Sequence, residues 1–249
     1  MKTIGILGGM SWESTQTYYK VLNELVRDRL GGLHSAQIVL RSLDFEEIER
    51  CQSSGNWARA AEILAEAARG LEAAGANVIL IATNTMHKVA PEVARAVTVP
   101  LLHIAEATGA ALARRGIRKV GLLGTKYTMT EPFYKCRLEA QNFDVLVPAP
   151  DDINLVNRVI FDELCLGTIR PESKVEFLRI IDDLRRRGAE GVILGCTEIG
   201  LLVTQEDTDL PVFDTTLIHA EEAVRFALGE PSDATNETKD TNDTNAEKA

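Results

Sequence analysis

Short apolar runs of three to six residues alternate with longer segments of helical periodicity along most of the chain. Each run has the length and content of a buried strand, and the alternation is typical of parallel sheets covered by helices on both faces. The predicted strands are Thr3–Leu7, Gln37–Arg41, Asn77–Ala82, Leu101–Ile104, Lys119–Leu123, Phe143–Val147, Gly191–Leu194 and Val212–Asp214. The predicted helices are Trp12–Arg29, Asn56–Ala74, Pro91–Val97, Glu106–Arg115, Glu131–Gln141, Asn154–Leu166, Glu172–Arg187 and Thr216–Leu228.

The two halves of the chain repeat one another. Residues 2–9 are KTIGILGG and residues 118–125 are RKVGLLGT, an offset of 116 positions. GANVILIATNT, which begins at Gly75, matches GAEGVILGCTE, which begins at Gly188, at an offset of 113 positions. Two matches in the same order favour duplication over chance. We therefore expect an α/β protein with two similar, doubly wound lobes related by a pseudo-twofold axis, and an active site in the cleft between them.

The lobes can be assigned approximate boundaries. We expect a first lobe of residues 1–98 plus 212–229 and a second lobe of residues 99–211. The last 20 residues, 230–249, contain six acids and none of the large apolar residues. Such a segment buries too little apolar surface to offset its ordering entropy, so the sequence predicts a disordered acidic tail.

Composition excludes several classes of protein. The net charge of −10 argues against a nucleic-acid-binding surface. No apolar stretch reaches 18 residues, which argues against a membrane span, and the N-terminus lacks the pattern of a signal peptide. The four cysteines show neither CxxC spacing nor a metal-ligand pattern. We therefore expect a cytoplasmic protein with reduced thiols and no bound metal.

Small polar residues follow the strands at positions where α/β sheets bind ligands. Gly8-Gly9-Met10 and Thr83-Asn84-Thr85 lie in the first half, and Thr125 and Cys196-Thr197-Glu198 lie in the second. The repeat makes Thr83 and Cys196 equivalent, so two proton-carrying side chains would flank a small ligand. A helix N-terminus after Cys196 would lower the pKa of its thiol. The alternatives are a buried structural thiol at Cys196 and a helix cap at Thr83 or Asn84.

Taken together, Thr83-Asn84-Thr85-Met86-His87, Gly195-Cys196-Thr197-Glu198 and the opening Gly8-Gly9-Met10 resemble the aspartate/glutamate racemase family. The likeness covers residues 1–228. It implies racemisation of an acidic amino acid without pyridoxal phosphate, metal or nicotinamide, with Thr83 and Cys196 as catalytic residues on opposite faces of the α-carbon. It also implies a homodimer.

The resemblance implies further substrate-binding residues. Asn84, Thr85 and Thr197 would hold the α-carboxylate, with Thr125 and Thr128 as weaker candidates. Glu198 would orient or deprotonate the thiol. Gln52 and Arg50 are candidates for the distal carboxylate, since a dicarboxylate needs a cationic or multi-donor partner there. The substrate-binding set is therefore Met10, Gln52, Asn84, Thr85, Thr125, Thr197 and Glu198.

The chain departs from the family where a first cysteine is usual and Thr83 stands instead. A thiol has a pKa of about 8.5, whereas an aliphatic hydroxyl is a poor base. By analogy with the family, Cys196 would abstract the proton of the L-substrate and the Thr83 side would return one, so the chain resembles L-Asp/Glu-specific racemases. A lysine of the family is replaced by Cys165. Two alternatives stay open: a one-thiol decarboxylase or diacid isomerase, and a non-catalytic amino-acid-binding protein. His87 either assists Thr83 or is a structural histidine.

Overall fold

The computed structural model describes residues 1–230, so the predicted disorder of the tail falls, apart from Glu230, outside the described residues. Strands are β1 (Ile4–Gly8), β2 (Ile38–Ser42), β3 (Val78–Ile81), β4 (Leu101–Leu102), β5 (Lys119–Gly124), β6 (Asp144–Leu146), β7 (Gly191–Gly195) and β8 (Val212–Asp214). Helices are α1 (Trp12–Leu30), α2 (Phe45–Ser53), α3 (Trp57–Ala73), α4 (Ala90–Arg95), α5 (Ile104–Arg114), α6 (Lys126–Thr130), α7 (Pro132–Glu139), α8 (Pro150–Asp162), α9 (Pro171–Arg186) and α10 (Thr215–Leu228). Short 3-10 helices cover Thr85–Val89, Leu164–Leu166, Ile199–Leu201 and Gln205–Asp207.

The strands form two four-stranded parallel sheets with one topology. The first sheet has the order β2-β1-β3-β4 and the second has the order β6-β5-β7-β8. All the pairings are parallel. The identical order confirms two similar α/β lobes, because β5 to β8 take the places that β1 to β4 take in the first sheet.

The expected lobe boundaries need correction at both crossings. We expected residues 99–211 in the second lobe, but β4 pairs with β3 of the first sheet. We expected residues 212–229 in the first lobe, but β8 pairs with β7 of the second sheet. The chain therefore leaves each lobe only after completing its fourth strand, at His103 and again at Thr215. The sheet to which an edge strand belongs is decided by its hydrogen bonds to a neighbouring strand. The sequence pattern did not reveal this pairing for β4 and β8.

The helix after each crossing packs against the other lobe. Ile104 and Leu112 of α5 share a core cluster with Val120 and Leu122 of the second sheet. In α10, Ala220, Val224 and neighbouring alanines pack with strand and α1 side chains of the first lobe. The small alanines bring α10 close to the first sheet. Helices α5 and α10 each follow the fourth strand of one sheet and pack against the other sheet. They therefore link the two lobes in addition to the two crossings.

Most other elements match the expected pattern with shifted ends, whereas α2 and α6 have no counterpart among the predicted helices. Helix α8 begins at Pro150, four residues before the predicted start, because a proline is well tolerated in the first helical turn. Helix α3 ends before Gly75, whose φ of +95° lies in the left-handed region that favours glycine. Over residues 1–230, no helix has both the length and the apolar content needed to cross a bilayer.

Candidate functional site

The ends of four central strands meet across the two lobes. Ser11 follows β1 and Thr85 follows β3, whereas Thr125 follows β5 and Glu198 follows β7. The Ser11 hydroxyl donates to Oε1 of Glu198 at 2.6 Å, and the hydroxyls of Thr85 and Thr125 are hydrogen-bonded at 2.9 Å. All four residues are buried. The structure therefore brings together polar segments that lie 187 positions apart for Ser11 and Glu198 and 40 positions apart for Thr85 and Thr125.

The carboxylate of Glu198 is the centre of this polar cluster. Besides Ser11 on Oε1, the Cys196 thiol donates to Oε2 at 2.9 Å and the Thr197 hydroxyl donates to Oε2 at 2.8 Å. The side chain is only 3% exposed. A buried carboxylate requires several donors, and here three donors from both lobes supply them.

The thiol of Cys196 lies beside that carboxylate at the end of β7. Burial, and next the negative charge of Glu198, raise its pKa well above its usual value. The expected lowering of its pKa by a helix N-terminus is therefore wrong. After β7 the chain forms only the three-residue 3-10 helix Ile199–Leu201, which has no long row of aligned peptide dipoles. Burial and, after it, the nearby carboxylate determine the pKa of the thiol instead.

Thr83 and Asn84 follow β3, and neither caps the 3-10 helix that begins at Thr85, since this helix has no side-chain cap. Thr83 is half-buried, and its carbonyl is hydrogen-bonded to the ring of His87. Asn84 is 2% exposed and donates through Nδ2 to the hydroxyl of Thr215 at 3.0 Å. The Thr215 hydroxyl in turn donates to the carbonyl of Leu194 at 2.8 Å.

This chain of hydrogen bonds fixes the orientation of the Asn84 amide. Because the Thr215 proton goes to Leu194, its oxygen must accept, so the NH2 group of Asn84 faces it. The carbonyl oxygen Oδ1 of Asn84 then points the other way. It is buried with no hydrogen-bond partner among the described residues. A buried, unpaired acceptor is costly, and it fits a ligand that carries N–H groups.

Three threonines form a row of hydroxyls in the same region. Thr125 caps α6 by accepting from the amide of Thr128, and its hydroxyl lies 3.2 Å from the hydroxyl of Thr128 and 2.9 Å from that of Thr85. Thr125 and Thr128 come from the second lobe, and Thr85 comes from the first. The hydroxyl groups of this row are suited to donate hydrogen bonds to a carboxylate.

The candidates for the distal carboxylate separate in the structure. Gln52 is 4% exposed and directs Nε2 to the sulfur of Met86 at 3.1 Å. The hydroxyl of Tyr127 in the second lobe donates to the backbone carbonyl of Gln52 at 3.3 Å. Arg50 is exposed and pairs with Glu46 at 3.0 Å on the outer face of α2, so it is not directed towards Gln52. Met10 is buried in the core cluster that also contains Met86.

Two residues of this cluster were not among the predicted site residues. Ser11 follows directly on the Gly8-Gly9-Met10 segment, and this position was the available signal. Thr215 lies 131 positions after Asn84 and had no signal in the sequence. Across residues 1–230, no group of three or more His, Cys, Asp or Glu side chains is arranged to hold a metal ion.

The chain is similar in sequence and in structure to several known proteins. The sequence model of the family described as Asp/Glu/Hydantoin racemase matches residues 7–223. A Yersinia pestis protein, provisionally named an Asp/Glu racemase, is 52% identical with a TM-score of 0.85, over 92% of this chain and 100% of that one. An aspartate racemase homologue from Pyrococcus horikoshii OT3 is 40% identical with a TM-score of 0.81, over the same shares. Picrophilus torridus aspartate racemase is 22% identical with a TM-score of 0.75, over 91% and 94%, and shows the fold alone.

Proposed function

We propose a reaction for this chain from the premise that it belongs to the Asp/Glu/Hydantoin racemase family, whose model matches residues 7–223. Its homologues are racemases, so the protein is an isomerase that acts on amino acids. The proposed reaction is racemisation of L-aspartate or L-glutamate at the α-carbon without a cofactor. Cys196 removes the α-proton, and a proton returns from the side of Thr83.

The observation that carries this proposal is the hydrogen bond from the Cys196 thiol to Glu198 at 2.9 Å. In the proposed reaction Glu198 accepts the thiol proton, and the thiolate then takes the proton from the α-carbon. The raised pKa keeps the resting thiol protonated. A substrate ammonium close to the cluster would offset the charge of Glu198, so thiolate formation would be coupled to substrate binding.

The polar atoms around the cluster suit the two α-substituents of an amino acid. The free Oδ1 of Asn84 is an acceptor, and the α-ammonium group is the donor that it would bind. We therefore add binding of the α-ammonium group by Oδ1 to the expected role of Asn84, whose second amide N–H is the group that would contact the α-carboxylate. The hydroxyls of Thr85 and Thr125 would donate to that carboxylate, where negative charge spreads as the carbanion forms. The Thr197 hydroxyl donates to Glu198 in this structure, so it would have to leave Glu198 to take the expected role.

The side-chain carboxylate of the substrate is assigned to Gln52. Its amide has two N–H groups, and the one that the sulfur of Met86 accepts makes only a weak hydrogen bond. A neutral amide holds a carboxylate less strongly than an arginine does. The proposal therefore includes both aspartate and glutamate as substrates.

The proposal predicts asymmetry between the enantiomers. Thr83 can donate a proton to a carbanion, but its hydroxyl is a poor base. Removal of the α-proton from the L-substrate by Cys196 is then fast, whereas removal from the D-substrate on the Thr83 side is slow.

The test is incubation of purified protein in D2O, without pyridoxal phosphate, with each enantiomer of aspartate and of glutamate. Proton NMR follows loss of the α-hydrogen, and chiral chromatography follows inversion. We expect exchange of the α-hydrogen to be much faster from the L-substrate than from the D-substrate, with inversion slower than exchange and of equal kcat/KM in both directions because the enantiomers have equal free energy. Cys196→Ala should lose about 10²–10⁴-fold in exchange from the L side. Thr83→Cys should raise exchange from the D side, because it supplies a second thiol.

Three results would contradict the proposal. Equal rates of α-hydrogen exchange from both enantiomers would mean that Thr83 is a competent base. Release of CO2 from a malonate, or isomerisation of maleate, without exchange of amino acids would identify a one-thiol lyase or isomerase. Binding without exchange would identify an amino-acid-binding protein. Size-exclusion chromatography of the same sample tests the homodimer.

A further inference from the structure

Three buried histidines meet where the chain crosses between the lobes. His87 follows Thr83, His103 lies at the first crossing, and His219 lies on α10 after the second crossing. They are at most 5% exposed. The ring centroids of His87 and His103 are 4.5 Å apart, and those of His87 and His219 are 5.8 Å apart. His87 is the central ring of the three.

The hydrogen bonds of His87 determine its protonation. The backbone N–H of Ile104 donates to Nε2 at 3.2 Å, so Nε2 must carry a lone pair. The proton of the neutral ring is therefore on Nδ1, which donates to the carbonyl of Thr83 at 2.8 Å. Both ring nitrogens are used, and both partners are backbone groups.

These two partners belong to different lobes. Thr83 comes directly after β3 of the first sheet, whereas Ile104 begins α5, which packs on the second sheet. The ring thus bridges the backbone of the candidate proton donor and the first amide of a helix of the opposite lobe. A change in the distance between these lobes would shift the Thr83 carbonyl through this ring.

We propose that His87 is a positioning residue that holds Thr83 at a fixed place relative to the second lobe, and this inference rests on the proposed racemisation. The ring itself gives no proton to the substrate. Burial, together with the charges that His103 and His219 would carry, lowers the pKa of His87 well below its usual value. A ring that stays neutral can keep both hydrogen bonds throughout the reaction.

Two substitutions separate the two hydrogen bonds. In His87→Asn, Nδ2 can replace Nδ1 as the donor to Thr83. In His87→Gln, Oε1 can replace Nε2 as the acceptor from Ile104, but the donor to Thr83 is lost. The matched control is His219→Gln, which exchanges another buried ring of the cluster and leaves both hydrogen bonds of His87 in place.

The measured quantity is the ratio of inversion to exchange without inversion, with the L-substrate in D2O. Exchange without inversion needs only Cys196, whereas inversion also needs a proton from the Thr83 side. We expect His87→Gln to lower the ratio about tenfold or more, because small displacements of reacting groups are costly. His87→Asn keeps the bond to Thr83 but breaks the bridge to Ile104, so it should lower the ratio as well, whereas His219→Gln should keep the wild-type ratio, and exchange itself should be similar in all folded variants.

Other outcomes overturn the inference. A wild-type ratio in His87→Gln, or a parallel fall of inversion and exchange, means that His87 has no specific effect on Thr83. An NMR spectrum of the wild-type imidazole nitrogens with the proton of His87 on Nε2 also contradicts it, whether or not the variants fold. Absence of both exchange and inversion in the wild-type protein would instead refute the proposed racemisation, and with it this inference.

Discussion

Acidification should destabilise the protein through His219, which is fully buried on α10. Its Nε2 faces the carbonyl of Leu102 at 3.0 Å, so Nε2 carries the proton, and Nδ1 accepts from the hydroxyl of Tyr18 at 2.9 Å. Burial lowers the pKa of His219 to about 4, although the hydrogen bond to Leu102 acts in the opposite direction. The histidine of the unfolded chain titrates near its ordinary pKa of about 6.5.

The sign and size of the effect follow from this difference in pKa. Above about pH 6.5 both states hold a neutral ring, and the full stability is present. As the pH falls towards 4, the unfolded state binds a proton that the folded state does not bind. At about pH 5 this proton binding lowers the free energy of unfolding by about 2 kcal/mol relative to neutral pH.

Urea unfolding of the wild type and His219→Gln, at about pH 7.5 and about pH 5, measures this contribution. The glutamine can still donate to Leu102, but it does not titrate. Loss of the Tyr18 acceptor lowers the variant's stability by roughly 1–3 kcal/mol at both pH values. We expect the wild type to lose about 2 kcal/mol more than the variant on acidification. Equal losses would refute the assigned pKa and the neutral ring.

Two further predictions concern the strand ends. Glu198→Gln removes the charge beside Cys196 and should lower the pKa of its thiol, so the midpoint of its alkylation rate against pH, followed by mass spectrometry at Cys196, should fall; an unchanged midpoint contradicts the role of that charge. Gly124→Ala should destabilise by about 1–3 kcal/mol, because its Cβ would lie 2.7 Å from the Gly195 carbonyl oxygen. The control is Gly70→Ala, because Gly70 lies within α3 and a Cβ there would have no atom within 4 Å. This control should stabilise the protein by roughly 0.5–1 kcal/mol in the same urea assay. Similar effects at both glycines would contradict the argument.

Much of the fold could be predicted from local pattern. A parallel strand buried on both faces must be apolar throughout, so Val78–Ile81 and Gly191–Gly195 stood out from the polar segments around them. The repeat of these strands predicted two lobes of similar topology. Cys196, Glu198 and Asn84 could be chosen because polar residues directly after such strands lie at the edge of the sheet where ligands bind.

The sequence by itself determined the α/β class, the duplication and the strand ends that carry the candidate chemistry, since each depends on residues close together in the chain. Only the tertiary structure decided how these ends combine. Ser11 reaches Glu198 across 187 positions, and this contact helps to bury the carboxylate that, after burial of the thiol itself, raises the pKa of Cys196. It also decided which sheet receives β4 and β8. Long-range contacts depend on the packing of whole lobes, and no local pattern of residues encodes them.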